Sequence, residues 1–139
     1  MLQGKKLVGN LRWMKSNNLF CPKIKVMING IDWAIGLGCA ITVSAADGTI
    51  LYMNEKSQKV FEKWGGKELI GQRLWGCHSE KSVETIKRLI ENKESNCYTI
   101  EKNGVKKLIY QTPWFDGEEL GGLVEISIEL PASIPHHVR

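Results

Sequence analysis

The residue pair Cys77-His78 places a thiol beside an imidazole, two side chains that serve as nucleophile, base or metal ligand. Consecutive side chains seldom reach the geometry of a nucleophile and its base, and the sequence identifies no third orienting residue. Covalent haem attachment would need Cys-x-x-Cys-His, but the residue three before Cys77 is Leu74. We therefore expect no enzymatic activity here. The simplest interpretation is that His78 hydrogen-bonds its own loop while Cys77 fills core.

Two other chemistries stay open for this pair. A non-covalent haem needs only one axial histidine, which makes His78 the candidate ligand of a gas or redox sensor. A Cys77 thiolate could instead act as a redox sensor. A metal site is not predicted, because the cysteines at positions 21, 39, 77 and 97 fall on separate elements and His136-His137 are neighbours in a tail.

Aromatic residues mark a candidate ligand pocket. Tyr110, Thr112 and Trp114 alternate along one predicted strand and so share a face. With tryptophans from a predicted helical block they could line a mostly apolar cavity with a few polar groups. A fully packed core that binds nothing is the alternative. The predicted pocket residues are Trp64, Trp75, Cys77, His78, Tyr110, Thr112, Trp114 and Ile126.

Five strands are predicted to carry or frame these side chains. Asp47-Gly48, Asn103-Gly104 and Asp116-Gly117 each suit a tight hairpin turn, and β-branched or aromatic residues flank each pair. Apolar and polar residues alternate over positions 123–130 of the last strand. We expect its even-numbered residues, Ile126 among them, to point inward.

The apolar period becomes helical between the second and third strands. Asn54 is the expected N-cap of a helix from about Glu55 to Trp64, which Gly65-Gly66 ends. Ser79 is expected to precede a second helix over 82–92 with one apolar stripe.

The chain divides into an N-terminal extension at 1–37, a central domain at 38–130 and a polar tail at 131–139. We expect the extension to be helical, with an apolar face that packs on the sheet or on a second copy, although Ile24, Val26 and Ile28 also alternate as in a strand. Gly30 weakens the helical interpretation.

Composition bounds the class of protein. A chain of 139 residues, 42% of them apolar, suits one soluble globular domain with a core of its own. No apolar stretch reaches the roughly 20 residues that span a bilayer, and the polar start lacks a secretory signal. We expect a cytoplasmic protein with free thiols and no membrane partner. The charge of +4 is scattered, so nucleic-acid binding is not expected.

The string Gly48-Thr-Ile-Leu-Tyr-Met-Asn54, followed by a helix with Phe61 and then Glu68-Leu-Ile-Gly71, resembles the Per-Arnt-Sim (PAS) sensor domain. The resemblance covers about positions 38–130, and Cys77-His78 is a feature similar to small stand-alone bacterial PAS proteins. It implies an α+β fold: a five-stranded antiparallel sheet in the order 2-1-5-4-3, with helices covering one face.

The same resemblance implies a function. It points to a non-catalytic sensory or signalling module that binds a small molecule or a partner protein and relays a conformational shift. The implied partners are a second copy, as a homodimer, and a separate signalling output protein. The cofactor stays unknown, with none at all as one option and haem on His78 as another.

Overall fold

Residues 27–139 are described by the structure, a computed structural model. Seven strands run along this part of the chain: β1 Met27–Ile28, β2 Ile31–Asp32, β3 Ala40–Ala45, β4 Ile50–Met53, β5 Asn96–Lys102, β6 Val105–Asp116 and β7 Glu119–Glu129. Its two α-helices are α1 Glu55–Val60 and α2 Glu80–Asn92. Short 3-10 turns lie between the helices at Glu62–Trp64, Gly66–Leu69 and Leu74–Cys77.

Five strands form one antiparallel sheet in the order β4-β3-β7-β6-β5. Counted along the chain within this sheet, the order is 2-1-5-4-3, so the α+β architecture implied by the resemblance is confirmed. The predicted hairpin turns are also present. Asn103 and Gly104 both have positive φ, 53° and 74°, as a two-residue hairpin turn requires.

Both predicted N-caps are present, and α2 begins at Glu80, two residues before the predicted start. The Asn54 side chain accepts from the backbone N–H of Ser57 at the start of α1, and the Ser79 side chain accepts from Ser82 at the start of α2. Helix α1 ends earlier than expected, and Gly65, with φ 119°, closes the 3-10 turn that follows it.

Two apolar clusters pack against opposite faces of the sheet. On the helical side, α2 buries an apolar stripe against the sheet in the cluster Ile50, Met53, Leu69, Leu74, Ile86, Leu89, Ile90 and Leu123. On the outer side, a smaller cluster joins Ala34, Val43 and Tyr52, with Trp114 and Val124 packed against it.

The predicted orientation of the last strand is wrong. Leu123 packs in the helical-side cluster, and Glu125 lines the space beneath the helices. The even-numbered Val124 packs with the outer cluster instead, and Ile126 shares its face of the strand. The alternation of apolar and polar residues shows that β7 has two different faces, but it does not show which of them the helices cover. In the structure the helices cover the face that carries Glu125.

Part of the N-terminal extension is also not as predicted. Residues 27–32 form a two-stranded hairpin rather than a helix, with Asn29 and Gly30 at positive φ in its turn. Asn-Gly is a strong hairpin signal, and it outweighs the helical spacing of the isoleucines around it. The expected helix over residues 1–26 lies outside the described residues. Among the helices of positions 27–139, none combines the length and apolarity that crossing a bilayer requires.

Candidate functional site

A cleft with both polar and apolar side chains in its lining opens between the two helices and strands β3, β5, β6 and β7. Its volume is about 910 Å³, within the range of small-molecule sites. A smaller cavity of about 20 Å³ adjoins it toward the core and has room for about one water molecule. The cleft and the cavity share four lining residues: Thr42, Phe61, His78 and Glu125.

A row of polar side chains crosses the cleft floor. Strand register places Asn96 of β5 opposite Gln111 of β6, Gln111 opposite Glu125 of β7, and Glu125 opposite Thr42 of β3. Side chains at paired positions lie on the same face of a sheet, so the four form one line across four strands. We call these four residues the polar row.

Hydrogen bonds orient the polar row. The Asn96 side-chain amide donates to Oε1 of Gln111 at 3.2 Å, and Nε2 of Gln111 donates to Oε2 of Glu125 at 2.7 Å. Gln111 is only 4% exposed, so its amide is held by these two contacts in a position set by the sheet. At the other end, the Thr42 hydroxyl lies 2.6 Å from the hydroxyl of Ser57 in α1.

The two carboxylates of the cleft differ in their partners. Glu129, at the rim, pairs with Lys56 at 3.1 Å and Lys107 at 3.9 Å, and the hydrogen bond from Lys56 lowers the pKa of Glu129. Glu125, on the floor, forms no ion pair with any residue of 27–139 and has Gln111 as its hydrogen-bond donor there.

Cys77 and His78 both line the small cavity, and they are closer to each other than expected. The Cys77 Sγ lies 3.3 Å from His78 Nδ1, and each of these atoms is within hydrogen-bond distance of the Leu74 carbonyl oxygen, at 3.2 Å and 3.1 Å. This arrangement matches the interpretation that His78 bonds to its own loop. Burial raises the pKa of the Cys77 thiol, and the negative charge of Glu125 raises it further. The thiol form is therefore favoured over a nucleophilic thiolate.

The site does not fit haem. His78 stacks on Phe61, with ring centroids 6.4 Å apart, and lines a cavity far too small for a macrocycle. The adjoining cleft is also lined by the Glu125 carboxylate and the Gln111 amide, and a flat apolar ring would remove water from these groups without replacing its hydrogen bonds. Among residues 27–139, no cluster of three or more histidines, cysteines or carboxylates is placed to hold a metal.

The tryptophans predicted to line the pocket take different places. Trp64 does line the cleft, and its side chain is 48% exposed. Trp75 packs over the β3–β4 turn, where an added Cβ on Gly48 would overlap its ring, and Lys87 Nζ lies 5.2 Å from the ring centroid. Trp114 lies on the outer sheet face, and its Nε1 donates to the Ser44 carbonyl at 2.9 Å.

The remaining predicted pocket residues lie away from the cleft. Tyr110, Thr112 and Ile126 share the outer face with Trp114, because they alternate with Gln111 and Glu125 on the same strands. Placing them in the pocket was wrong for the same reason as the orientation of β7. The polar row was not predicted. Its signal in the sequence is the set of polar residues that alternate with these apolar ones along β6 and β7.

A second structural feature connects the cleft to the N-terminal side of the domain. Asn54 is fully buried and forms four hydrogen bonds, accepting from the backbone of Ile41 and Ser57 and donating to the carbonyls of Ala34 and Cys39. Segment 34–39 is thereby fixed to α1. Because the Ser57 hydroxyl contacts Thr42 of the polar row, Asn54 is connected to the cleft floor through one intervening residue, Ser57.

Sequence comparisons find no family model and no curated protein that matches this chain. Solved structures do match. The PAS domain of the histidine kinase ThkA gives a TM-score of 0.55 at 20% identity, over 64% of this chain and 96% of that one. A PAS domain from Colwellia psychrerythraea gives 0.53 at 19% identity, over 70% and 90% of the two chains.

A third similar structure is the Aer2 receptor from Vibrio cholerae, described as a dual PAS-haem oxygen sensor. Its TM-score is 0.55 at 14% identity, over 67% of this chain and 95% of that one. At these identities the likeness concerns the fold. Because the strand order, the helical block between the second and third strands of the sheet and these superpositions all agree, the chain has a PAS-like fold.

Proposed function

We propose that this protein is a sensory module that binds a small polar molecule in the cleft and passes the resulting conformational shift to a partner chain. The observation that carries the proposal is the cleft itself. It combines a volume of about 910 Å³ with an ordered polar row on its floor, in a PAS-like fold whose similar structures include domains of a histidine kinase and of an oxygen-sensing receptor.

The chemistry of the cleft favours binding over catalysis. A non-catalytic role agrees with the raised pKa of Cys77, because the thiol is a poor nucleophile. The polar row offers fixed donors and acceptors, which select a ligand by hydrogen bonding.

Asn54 supplies a route by which a bound ligand can act at a distance. A ligand on the floor displaces or tightens the Thr42–Ser57 contact, Ser57 lies in the first turn of α1, and Asn54 ties that turn to segment 34–39. A ligand that binds one arrangement of this network better than another shifts the population toward it. We expect the partner chain to detect this conformational shift at the N-terminal side of the domain.

The outer face of the sheet is the surface we assign to a second copy of the chain. Tyr110 is 38% and Ile128 is 40% exposed there, on the face that also carries Ile126. Apolar side chains exposed together on one sheet face are typical of an interface between proteins, and a symmetric pair is the commonest assembly of identical chains. A separate output protein would then bind the dimer and respond to its conformation.

Native mass spectrometry after incubation with a cell extract of small molecules tests the ligand-binding role. We expect a non-covalent adduct that is lost on denaturation. Thr85→Trp, which places an indole in the cleft from α2, should remove the adduct, whereas Glu84→Trp, one residue earlier and outside the lining, should retain it. Bare protein in every sample, or an adduct that persists in Thr85→Trp, would contradict a ligand site in the cleft.

The haem-dependent sensor is the second function that the sequence left open. The poor fit described above leads us to expect no Soret band after hemin is added to the purified protein. A Soret band that disappears in His78→Ala would overturn this expectation and restore the haem hypothesis.

A further inference from the structure

The charged side chains of the cleft restrict the class of ligand, on the basis of the proposed function that the cleft is a ligand site. Among residues 27–139, two carboxylates line it, and one of them, Glu129, already pairs with Lys56 and Lys107. The other is Glu125 on the floor. Four lysines also line the cleft, so its lining carries an excess of positive charge at neutral pH: Lys63, Lys81, Lys102 and Lys107.

Three of these lysines have no acidic partner within residues 27–139. Lys63, Lys81 and Lys102 are exposed and form no ion pair there. They come from three separate elements, the 3-10 turn after α1, the first turn of α2 and the end of β5, yet all three line one cleft. Charges of one sign around a concave surface raise the local concentration of the opposite ion. An anionic group can therefore bind these lysines without first displacing a carboxylate.

Strand register separates Lys102 from the polar row. On β5, Lys102 lies six residues beyond Asn96 on the same face, which corresponds to about 20 Å along the strand. Tyr98 lies between them and is paired in register with Ile109 of β6, and both residues line the cleft. The floor therefore runs from hydrogen-bonding groups, over an apolar stretch, to a lysine.

The helical side of the cleft adds further apolar surface. Phe61 and Trp64 both line it, with ring centroids 5.9 Å apart, and Trp64 is 48% exposed. An apolar group in the middle of a ligand would cover these two rings and Tyr98, and this burial favours binding.

We propose that the cleft binds a small organic acid. Its anionic group contacts the three lysines that lack a partner, its apolar middle covers the aromatic rings, and an uncharged hydroxyl or amide at its other end donates to Glu125. The Gln111 amide donates to Oε2 of Glu125, and this leaves Oε1 without a donor from residues 27–139. The Glu125 carboxylate repels a second anion, so it sets the direction of binding. Because the lysine stem is flexible, an acid shorter than the floor can contact both ends.

Three matched probes test the charge preference: ω-(para-hydroxyphenyl)valerate, the corresponding neutral amide and the corresponding cationic amine. The nuclear magnetic resonance signals of the Gln111 and Asn96 side-chain amides report binding on the floor. We expect the acid to shift these signals saturably and to bind about fivefold or more above the affinity of either control, with a preference that shrinks at high salt. Equal or tighter binding of the amide or the amine, or no saturable shift with the acid, overturns the proposal.

A fourth probe tests the direction of binding. It carries a carboxylate in place of the para-hydroxyl group, and repulsion by Glu125 should make it bind about fivefold more weakly than the hydroxy acid. Glu125→Gln should remove this difference, whereas Glu118→Gln, in the exposed β6–β7 turn, should retain it. Tighter binding of the dianion than of the hydroxy acid to the parent protein refutes the placement of the donor end at Glu125.

Two triple variants test the lysines. Combining Lys63→Gln, Lys81→Gln and Lys102→Gln should lower the affinity for the acid about fivefold or more and leave that for the amide unchanged. Thermal melting confirms that both variants fold. Equal losses of affinity in the two would show that net charge, rather than the cleft lysines, attracts the acid. The control removes the same charge from exposed positions outside the lining and should leave both affinities unchanged: Lys67→Gln, Arg88→Gln and Lys106→Gln.

The two proposals fail in different ways. If the mass-spectrometric adduct depends on Thr85 but the acid has no advantage over its amide, the cleft binds a ligand and the anionic class is wrong. If no adduct forms and no probe shifts the amide signals, both the ligand site and the anionic class are wrong.

Discussion

Asn54 links three parts of the chain through one side chain. Its four hydrogen bonds satisfy the start of α1, the start of β3 and two carbonyls of segment 34–39, all in a position with no solvent exposure. The sequence identified Asn54 as an N-cap, because Asn before a helical pattern is a common cap. Its two donated bonds depend on where segment 34–39 lies, which no local pattern encodes.

Asn54→Ala should destabilise the protein by about 3 kcal/mol, because it removes a cap and leaves buried backbone groups without partners. Thermal or urea denaturation measures the change. Asn92→Ala, at the exposed end of α2, is the control and should stay within about 0.5 kcal/mol of the parent. Equal losses in the two variants would contradict the assigned role of Asn54.

Cys77 should react slowly with alkylating reagents. Burial and the Glu125 charge raise the pKa of its thiol, so at neutral pH the thiolate population is small. Peptide mapping after timed iodoacetamide treatment should show Cys77 modified later than Cys97, which is exposed on β5. Modification of Cys77 first would support the thiol redox sensor instead.

The β3–β4 turn is an element whose sequence signal and structural role agree. Asp47-Gly48 predicted a tight turn, and Gly48 adopts φ 85° there. The turn also receives Trp75 from the helical block, against a glycine with no side chain to block it. The pairing of this turn with a distant tryptophan was not predictable, because it depends on the path of the helical block.

Gly48→Ala should destabilise the protein by about 3 kcal/mol, since alanine disfavours positive φ and its Cβ would overlap the Trp75 ring. Gly76→Ala is the matched control, because a Cβ at that position meets open space without positive φ. Denaturation followed by tryptophan fluorescence measures both. A larger loss of stability in Gly76→Ala than in Gly48→Ala would show that the packing of Trp75 against Gly48 is unimportant.

The contribution of the same turn to the stability of the protein depends on pH. The Thr49 backbone N–H bonds to Asp47 at 2.9 Å and, with the charge of Arg73, lowers the Asp47 pKa. The ionised form is therefore favoured in the folded state, so its stabilising effect is present above pH about 4 and lost as pH falls through the lowered value. The stability difference between the parent and Asp47→Asn should shrink as the pH falls below about 4, the usual pKa of an aspartate. A difference that grows on acidification would reverse the assigned sign.

At the scale of the whole molecule, the hairpins were predictable from the residues and the covered side of the sheet was not. The Asx-Gly turns are local signals that predict which consecutive strands pair. The pairing of β3 with β7, and with it the order of the sheet, was implied only by the resemblance to PAS domains. Which face the helices cover depends on pairs such as Leu123 and Leu89 that are far apart in sequence. The expected pocket therefore included Tyr110 and Trp114 from the opposite face.

The outer face provides the prediction for the assembled protein. Size-exclusion chromatography with light scattering should show a dimer, and Ile128→Lys should shift it toward monomer, because a charge would be desolvated at the interface. Val138→Lys, in the exposed tail, should not. A parent protein that stays monomeric at high concentration would exclude this interface.

The mixed lining of the cleft also determines how ligand binding would register in a calorimeter. Fixed amide and carboxylate groups lie on the floor, and Val60, Phe61, Trp64 and Ile100 add apolar surface around them. Covering this apolar surface should give a negative heat-capacity change on association, and the polar contacts should add a favourable enthalpy. The enthalpy of binding of the proposed ligand should therefore become more negative as the temperature rises.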